Sequence, residues 1–205
     1  MAEEHRLVAT KQDLHAFRNS VQPALERVFR YPIVLPNIFL DTVRARLILE
    51  CSVFALDEQR YEAISRAAEA IGDDFLLLTL LSDYIWGPGE TANISWRVPL
   101  DDFTGYESAP YNDLEVKEVY GIPLYRILHS PRGHWGIIFD DDFAVLGGSA
   151  SFVRHFRREY PAWREDLPPF IDRFLEGARK RGADVNWVPK LLRHVYGDNA
   201  PEFEP

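Results

Sequence analysis

The hydrophobic and polar positions of the chain follow two periods, and each period predicts one kind of element. Between Val43 and Val53 every second residue is apolar, which is the period of a half-buried β-strand. Residues 75–81 are nearly all apolar, which favours a central strand that is covered on both faces, with a buried helical turn as the alternative. Further strands are predicted, with turn residues between them, over residues 94–98, 114–120, 124–129, 135–139 and 143–146.

Helical periodicity occupies the remaining segments. Asp57 has the side chain of an N-cap and Gly72 lies where a helix would stop, so the residues between them are predicted to form a helix. Pro23 lies inside an N-terminal helix and is expected to kink or split it. The other predicted helices span residues 11–30 and 188–196, a segment capped by Ser149 or Ser151, and a segment from Pro168 to Gly182.

This order of elements predicts an α+β fold with a mainly antiparallel sheet, on which an N-terminal helix, one inserted helix and C-terminal helices pack. We expect a single domain over residues 1–205. Residues 101–113 are polar, aromatic and rich in turn formers, and they are predicted to form a long exposed loop. The expected divisions are an N-terminal helix in 1–30, a sheet region with one helix in 31–148, C-terminal helices in 149–197 and a tail in 198–205.

The charge of the chain is unevenly distributed. Its 205 residues include 23 Lys+Arg and 32 Asp+Glu, a net charge of −9, yet residues 51–148 alone hold 6 basic and 17 acidic side chains, a balance of −11. A chain of this charge lacks the basic footprint of nucleic-acid binding, and it shows neither a membrane-length apolar run nor a signal-peptide pattern. We therefore expect a cytoplasmic protein that binds neither nucleic acid nor membrane. The acidic segment serves either solubility alone or the steering of a basic partner.

Aromatic and acidic residues occur together in the predicted loops and turns of this acidic segment. Rings can anchor a protein partner and carboxylates can steer a basic one, whereas ordinary loop packing is the alternative interpretation. The candidate partner-binding residues are Trp86, Glu90, Asp101, Asp102, Tyr106, Glu107, Tyr111, Asp113, Asp140, Asp141 and Asp142.

Residues that could carry catalysis or hold a metal ion form no complete set. The three aspartates of residues 140–142 point in different directions if they form a hairpin turn, so a solvated turn is expected there. His129 and His134 flank a turn and are expected to be half-exposed, and Cys51, the single cysteine, is expected to be buried. We predict no cofactor, no metal site and no catalytic residue. A hydrolase-like site of these aspartates with His129 or His134, and a small-molecule pocket between the sheet and the C-terminal helices, remain as alternatives.

A resemblance is carried by residues 135–152. A strand begins with Trp135-Gly136, an acidic turn follows, the next strand ends with Leu-Gly-Gly at Gly148, and a helix opens with Phe152. This arrangement is similar to small uncharacterised bacterial proteins, some of which are encoded beside polymorphic toxins and are suspected immunity proteins. Together with the charge, it favours a non-enzymatic binding protein whose acidic, aromatic-bearing surface engages a basic protein. A toxin is the partner that the resemblance implies.

Overall fold

The computed structural model describes residues 6–8, 18–30, 33, 35–52, 55–81, 94–112, 125–140, 143–172, 180, 182 and 184–201. Its strands are β1 Arg6–Val8, β2 Ala45–Glu50, β3 Phe75–Leu81, β4 Ile94–Pro99, β5 Tyr125–His129, β6 Trp135–Phe139 and β7 Phe143–Gly148. Its α-helices are α1 Gln22–Leu25, α2 Glu58–Ala70, α3 Phe103–Asn112, α4 Ala150–Glu159 and α5 Val188–Tyr196, and residues 18–20 and 167–172 are also helical. Short 3₁₀ helices occupy Pro161–Arg164 and Gly197–Asn199.

The strands form one sheet in the order β1-β4-β3-β5-β6-β7-β2, and every neighbouring pair is antiparallel. The strands β5, β6 and β7 make a meander, β2 joins its end, and β3 and β4 continue the sheet on the other side. The predicted α+β class with a mainly antiparallel sheet is therefore confirmed. The strand predicted over residues 114–120 lies outside the described residues.

Helical and irregular segments cover both faces of the sheet. One face, which we call the α2 face, packs against α2, α3 and α4. The other, the α5 face, packs against the described residues between 21 and 43, the helical residues 167–172 and α5. Strand β7 shows why its residues are all apolar: Ala144 and Leu146 belong to the α2 face, and Phe143 and Val145 belong to the α5 face. A strand buried on both sides loses the alternation that a half-exposed strand keeps.

The N-terminal segment differs in part from its prediction. The helical residues 18–20 and α1 are separated by a turn at Val21, next to Pro23, which occupies the first turn of α1. This is the split that the proline predicts, because proline is tolerated at the start of a helix and not in its interior. Helix α1 then ends at Leu25, so the helix does not continue to Arg30 as expected. Residues 11–17 lie outside the described part of the chain.

Two glycines on β6 and β7 explain the motif that carries the resemblance. Gly136 and Gly147 are paired across the two strands. The stacked rings of Phe29 and Phe39 lie against them on the α5 face, with ring centroids 5.4 Å apart. A Cβ atom at Gly136 would lie 2.5 Å from the Phe29 ring, and one at Gly147 would lie 2.6 Å from the Phe39 ring. The glycines therefore make room for the aromatic layer of the core.

The predicted loop over residues 101–113 is wrong, because α3 occupies most of it. The carboxylate of Asp102 accepts a hydrogen bond from the Gly105 N–H at 2.8 Å, as an N-cap residue does. Gly105 and Pro110 are poor helix formers, which is why the pattern resembles a loop. Burial of one side of the helix against α2 overrides that weak intrinsic preference.

A buried ion pair fastens the edge strand β2 to its surroundings. The Arg60 guanidinium donates to both oxygens of Asp166, at 3.0 and 2.7 Å, and the Asp166 side chain is only 2% exposed. The same carboxylate accepts from the Tyr160 hydroxyl at 2.8 Å and from the Glu50 N–H at 3.2 Å. Every lone-pair direction of a buried carboxylate is thus used by a donor, as a buried charge requires.

Candidate functional site

A groove lies between α2 and the turn that leads into α3. Its volume is about 450 Å³ and it is open to solvent on one side. The α2 wall presents residues spaced three or four apart, so they share one side of the helix. The lining residues are Glu58, Tyr61, Glu62, Ser65, Arg66, Glu69, Leu100, Asp101 and Phe103.

The charge of this groove is strongly negative. Glu58, Glu62 and Glu69 line one wall and Asp101 lines the other, and all four are exposed. Arg66 is the one cation of the lining, and it already pairs with Glu62 at 3.1 Å. Within the described part of the chain Glu58, Glu69 and Asp101 make no ion pair. Like charges held around one concavity raise the local concentration of cations.

Aromatic side chains form the apolar part of the groove. The Tyr61 ring is 1% exposed and lies 5.4 Å from the half-buried Phe103 ring, with an interplanar angle of 53°. The Tyr61 hydroxyl donates to the Pro99 carbonyl at 3.0 Å, which ties α2 to the end of β4. Burial raises the pKa of Tyr61, so the phenol stays neutral. The groove walls are therefore held together by the core beneath them.

The structure places the predicted partner-binding residues in several locations. Asp101 lines the groove, the Asp102 carboxylate is used as the cap of α3, and Glu107 is exposed one helical turn after Phe103. Asp140 lies at the β6–β7 turn, where its N–H donates to the Phe143 carbonyl at 2.8 Å. Tyr111 lies in α3. The predicted residues Trp86, Glu90, Asp113, Asp141 and Asp142 lie outside the described part of the chain.

Tyr106 is a core residue, and its predicted role as an exposed anchor is wrong. It is 0% exposed, and its ring stacks on Tyr61 with centroids 4.7 Å apart. Its hydroxyl accepts from the Leu56 N–H at 2.9 Å, and the Arg126 guanidinium lies 4.4 Å from its ring centroid. A ring enclosed in this way cannot contact a partner. Its role for the groove is indirect: by stacking on Tyr61 it holds α3 against α2.

Sequence reasoning missed the α2 wall of the groove. The prediction of this helix depends only on its two ends. The wall is made by the charged residues on its exposed side, Glu58, Glu62 and Glu69. Their spacing of four and seven residues was available as a signal. The sequence does not show that residues 103–112 form a helix, or that this helix places Phe103 opposite the charged side of α2.

His129 belongs to a buried hydrogen-bond chain and is not half-exposed as predicted. It is 0% exposed, its Nδ1 lies 3.1 Å from the Ser130 carbonyl oxygen and its Nε2 lies 3.0 Å from Thr79 Oγ1. Because a carbonyl only accepts, Nδ1 carries the proton and the Thr79 hydroxyl donates to Nε2. The Thr79 oxygen in turn lies 2.8 Å from Ser95 Oγ. Burial lowers the pKa of His129 to about 4, so the imidazole is neutral and closed to any substrate.

A second buried group, Asp73, joins two turns of the fold. Its carboxylate accepts from Trp135 Nε1 at 3.0 Å and from Ser130 Oγ at 3.1 Å, and it is 1% exposed. Burial raises the pKa of this carboxyl, although these two hydrogen bonds act against the shift. Its neighbours are the turns after α2 and after β5. The hydrogen bonds of Asp73 therefore hold these two turns together.

Other chemistry is limited among the residues that the structure describes. They contain no group of three or more histidine, cysteine, aspartate or glutamate residues that could hold a metal ion. Cys51 is buried, as predicted, and its thiol donates to the Asp140 carbonyl oxygen at 3.5 Å. None of the described helices has the length and apolarity needed to cross a membrane. Comparison with protein-family models, with curated proteins and with solved structures finds no match to the chain.

Proposed function

We propose that this chain is a non-enzymatic binding protein whose acidic groove receives a basic segment of a partner protein. The observation that carries the proposal is the combination of exposed carboxylates and the half-buried Phe103 ring in one concavity. Carboxylates attract Lys and Arg side chains from a distance, and the half-buried Phe103 ring offers apolar contact for their methylene stems. A cation that lies over an aromatic face gains a further attraction.

The groove carboxylates that make no ion pair with the described residues favour a binding role over a purely solubilising one. A surface that serves solubility alone intersperses both signs of charge and needs no concave shape. Here Glu58, Glu69 and Asp101 surround a concavity of about 450 Å³, which has room for one or two long basic side chains. A partner that brings them would replace the repulsion between the carboxylates by ion pairs.

The buried polar residues form hydrogen bonds within the protein, which also favours binding over hydrolysis. His129 and Asp73 are both buried, and their hydrogen bonds go to Thr79, Ser130 and Trp135. A general base must come within hydrogen-bond distance of its substrate, and neither group has a free direction toward solvent.

We extend the proposal to the cytoplasm as the location and to a basic toxin as the partner class that the resemblance implies. Neutralisation of a toxin by a small acidic protein requires fast association, and electrostatic steering provides it. The association rate should then fall at least tenfold as NaCl rises from about 50 to 500 mM, because screening shortens the range of the groove charges.

The test compares the proteins captured by three purified forms of the chain from a lysate of the source cells. A groove variant carries Glu58→Gln, Glu62→Gln, Glu69→Gln and Asp101→Asn. A matched control carries four neutralisations at exposed acids outside the groove lining, Glu26→Gln, Glu165→Gln, Asp184→Asn and Asp198→Asn.

We expect the wild type and the control to retain a basic protein that the groove variant loses. Titration calorimetry with that purified partner should show binding at least tenfold weaker for the groove variant. Circular dichroism establishes that all three forms fold alike. Retention of the same partner by the groove variant, or capture of acidic partners only, would overturn the proposal.

A further inference from the structure

A second charged surface, of opposite sign, lies on the outer side of α4 and on the 3₁₀ helix that follows it. Arg154, Arg157 and Arg158 are exposed at helical spacing on α4, and Arg164 is exposed at the end of the 3₁₀ helix. This local excess of arginines contrasts with the net charge of −9 of the chain. Glu159 and Glu165 are the acidic residues among them, and Glu159 is engaged by Arg158 at 2.8 Å.

Trp163 organises two of these arginines. The guanidinium carbon of Arg157 lies 4.2 Å from the Trp163 ring centroid, and that of Arg164 lies 4.3 Å from it. The ring itself packs against the core of the α2 face. Two cations are therefore held on one half-buried indole, at a distance where they repel each other. We call Arg157, Trp163 and Arg164 the arginine clamp.

Neither guanidinium of the clamp is neutralised by the protein. Within the described residues no carboxylate lies within salt-bridge distance of Arg157 or Arg164, and no hydrogen bond engages either guanidinium. Desolvation by burial lowers the pKa of Arg157, and the charge of Arg164 lowers it further, as expected for two cations held close together. Stacking on an aromatic ring leaves the N–H edges of a guanidinium free to donate.

We propose that the arginine clamp is a binding site for the phosphate group of a small phosphorylated compound. A carboxylate matches one guanidinium fork, whereas a tetrahedral dianion has enough oxygens to accept from two forks at once. The indole fixes both side chains before the ligand arrives, so less side-chain entropy is lost on binding.

Two observations favour a small ligand over a nucleic acid. The Trp163 ring is occupied by the core and by two guanidinium groups, so it offers no face on which a base could stack. The net charge of −9 repels an extended polyanion more strongly than a single compact dianion.

The experiment is calorimetric titration of the full chain with pyrophosphate at low ionic strength. We expect a dissociation constant of about 1 mM or below, the range that two charge-assisted contacts support. The double variant Arg157→Gln/Arg164→Gln should bind at least tenfold more weakly. The control Arg44→Gln/Arg193→Gln, which removes the same charge from exposed arginines outside the clamp and outside the groove, should bind like the wild type.

A third variant separates the clamp from a general effect of positive charge. Arg157→Lys/Arg164→Lys keeps the charge and removes the planar forks, so binding should fall well below that of the wild type. Binding by the lysine variant that equals the wild type would overturn the clamp, as would the absence of a titration signal with pyrophosphate. A twelve-residue oligothymidylate that binds more tightly than pyrophosphate, and only when the arginines are present, would assign the surface to nucleic acid instead.

Discussion

The buried imidazole of His129 should make the fold sensitive to mild acid. In the folded protein its pKa is about 4, because burial disfavours the charged form, whereas the ordinary value is 6.5. The unfolded chain therefore binds a proton at this site between pH 6.5 and 4 that the folded protein does not bind. Stability from this site is complete above pH 6.5 and is lost progressively as the pH falls toward 4.

The magnitude follows from the two pKa values. A free energy of about 1.4 kcal/mol corresponds to each pH unit inside this window, and the contribution of His129 reaches about 3 kcal/mol below it. Between pH 7.5 and pH 5 the free energy of unfolding should fall by about 2 kcal/mol from this residue alone. A typical domain is stable by only 5–15 kcal/mol, so a change of this size is readily measured.

His194 adds to the same trend with a smaller weight. Its pKa is lowered to about 4 by burial first and by the charges of Arg46 and Arg30 next, and its Nε2 accepts from the Phe39 N–H at 3.2 Å. The side chain is partly exposed, so solvent screens its charge. Asp73 acts in the opposite sense, since the raised pKa of a carboxyl favours the folded state at lower pH.

Urea denaturation at pH 7.5, 6.5, 5.5 and 5.0 measures the effect, with His129→Gln as the comparison. Glutamine places an acceptor near Thr79 and does not titrate, so the variant is less stable at pH 7.5 but loses less on acidification. The difference between the two profiles isolates His129, because His194 and Asp73 are present in both proteins. Parallel profiles for wild type and variant would refute the assignment of a buried, neutral imidazole.

Two further changes test the packing and the buried ion pair. Gly147→Ala should lower the free energy of unfolding by about 1–3 kcal/mol, because the new Cβ would lie 2.6 Å from the Phe39 ring. Adding Phe39→Leu should recover part of this loss. If the two substitutions instead cause independent, additive losses, the contact between them is contradicted. Asp166→Asn should cost about 3 kcal/mol, since it leaves Arg60 partly buried without its main partner. Glu62→Gln removes an exposed pair and should cost less than about 1 kcal/mol in the same denaturation assay, so equal losses would argue against the buried pair.

Much of the sheet could be predicted from the sequence because its strands carry strong local patterns. The predicted bounds of β3 and β6 agree with the structure, and Asp57 caps α2 by accepting from the Arg60 N–H at 2.9 Å. Ser149 caps α4 in the same manner. These features depend on neighbouring residues, so a single sequence contains the information.

The parts that failed depend on contacts between distant residues. Helix α3 has a weak intrinsic preference for helix, and it forms because Tyr106 and Phe103 pack against Tyr61, some 40 positions earlier in the chain. The predicted exposure of His129 failed for a related reason, since its partner Thr79 lies on a neighbouring strand. The groove required both outcomes at once: Phe103 had to lie in a helix, and that helix had to face the charged side of α2.

The hydrogen bonds along the outer border of β2 bear on the behaviour of the protein at high concentration. The N–H groups of Ile48 and Glu50 already donate to the Tyr196 hydroxyl and to the Asp166 carboxylate. A foreign strand that tried to extend the sheet at this border would first have to displace both acceptors and expose a buried aspartate. These hydrogen bonds thus protect the β2 edge against fibre growth and strand exchange. Other proteins can then bind at this edge through side-chain contacts and not by adding a strand to the sheet.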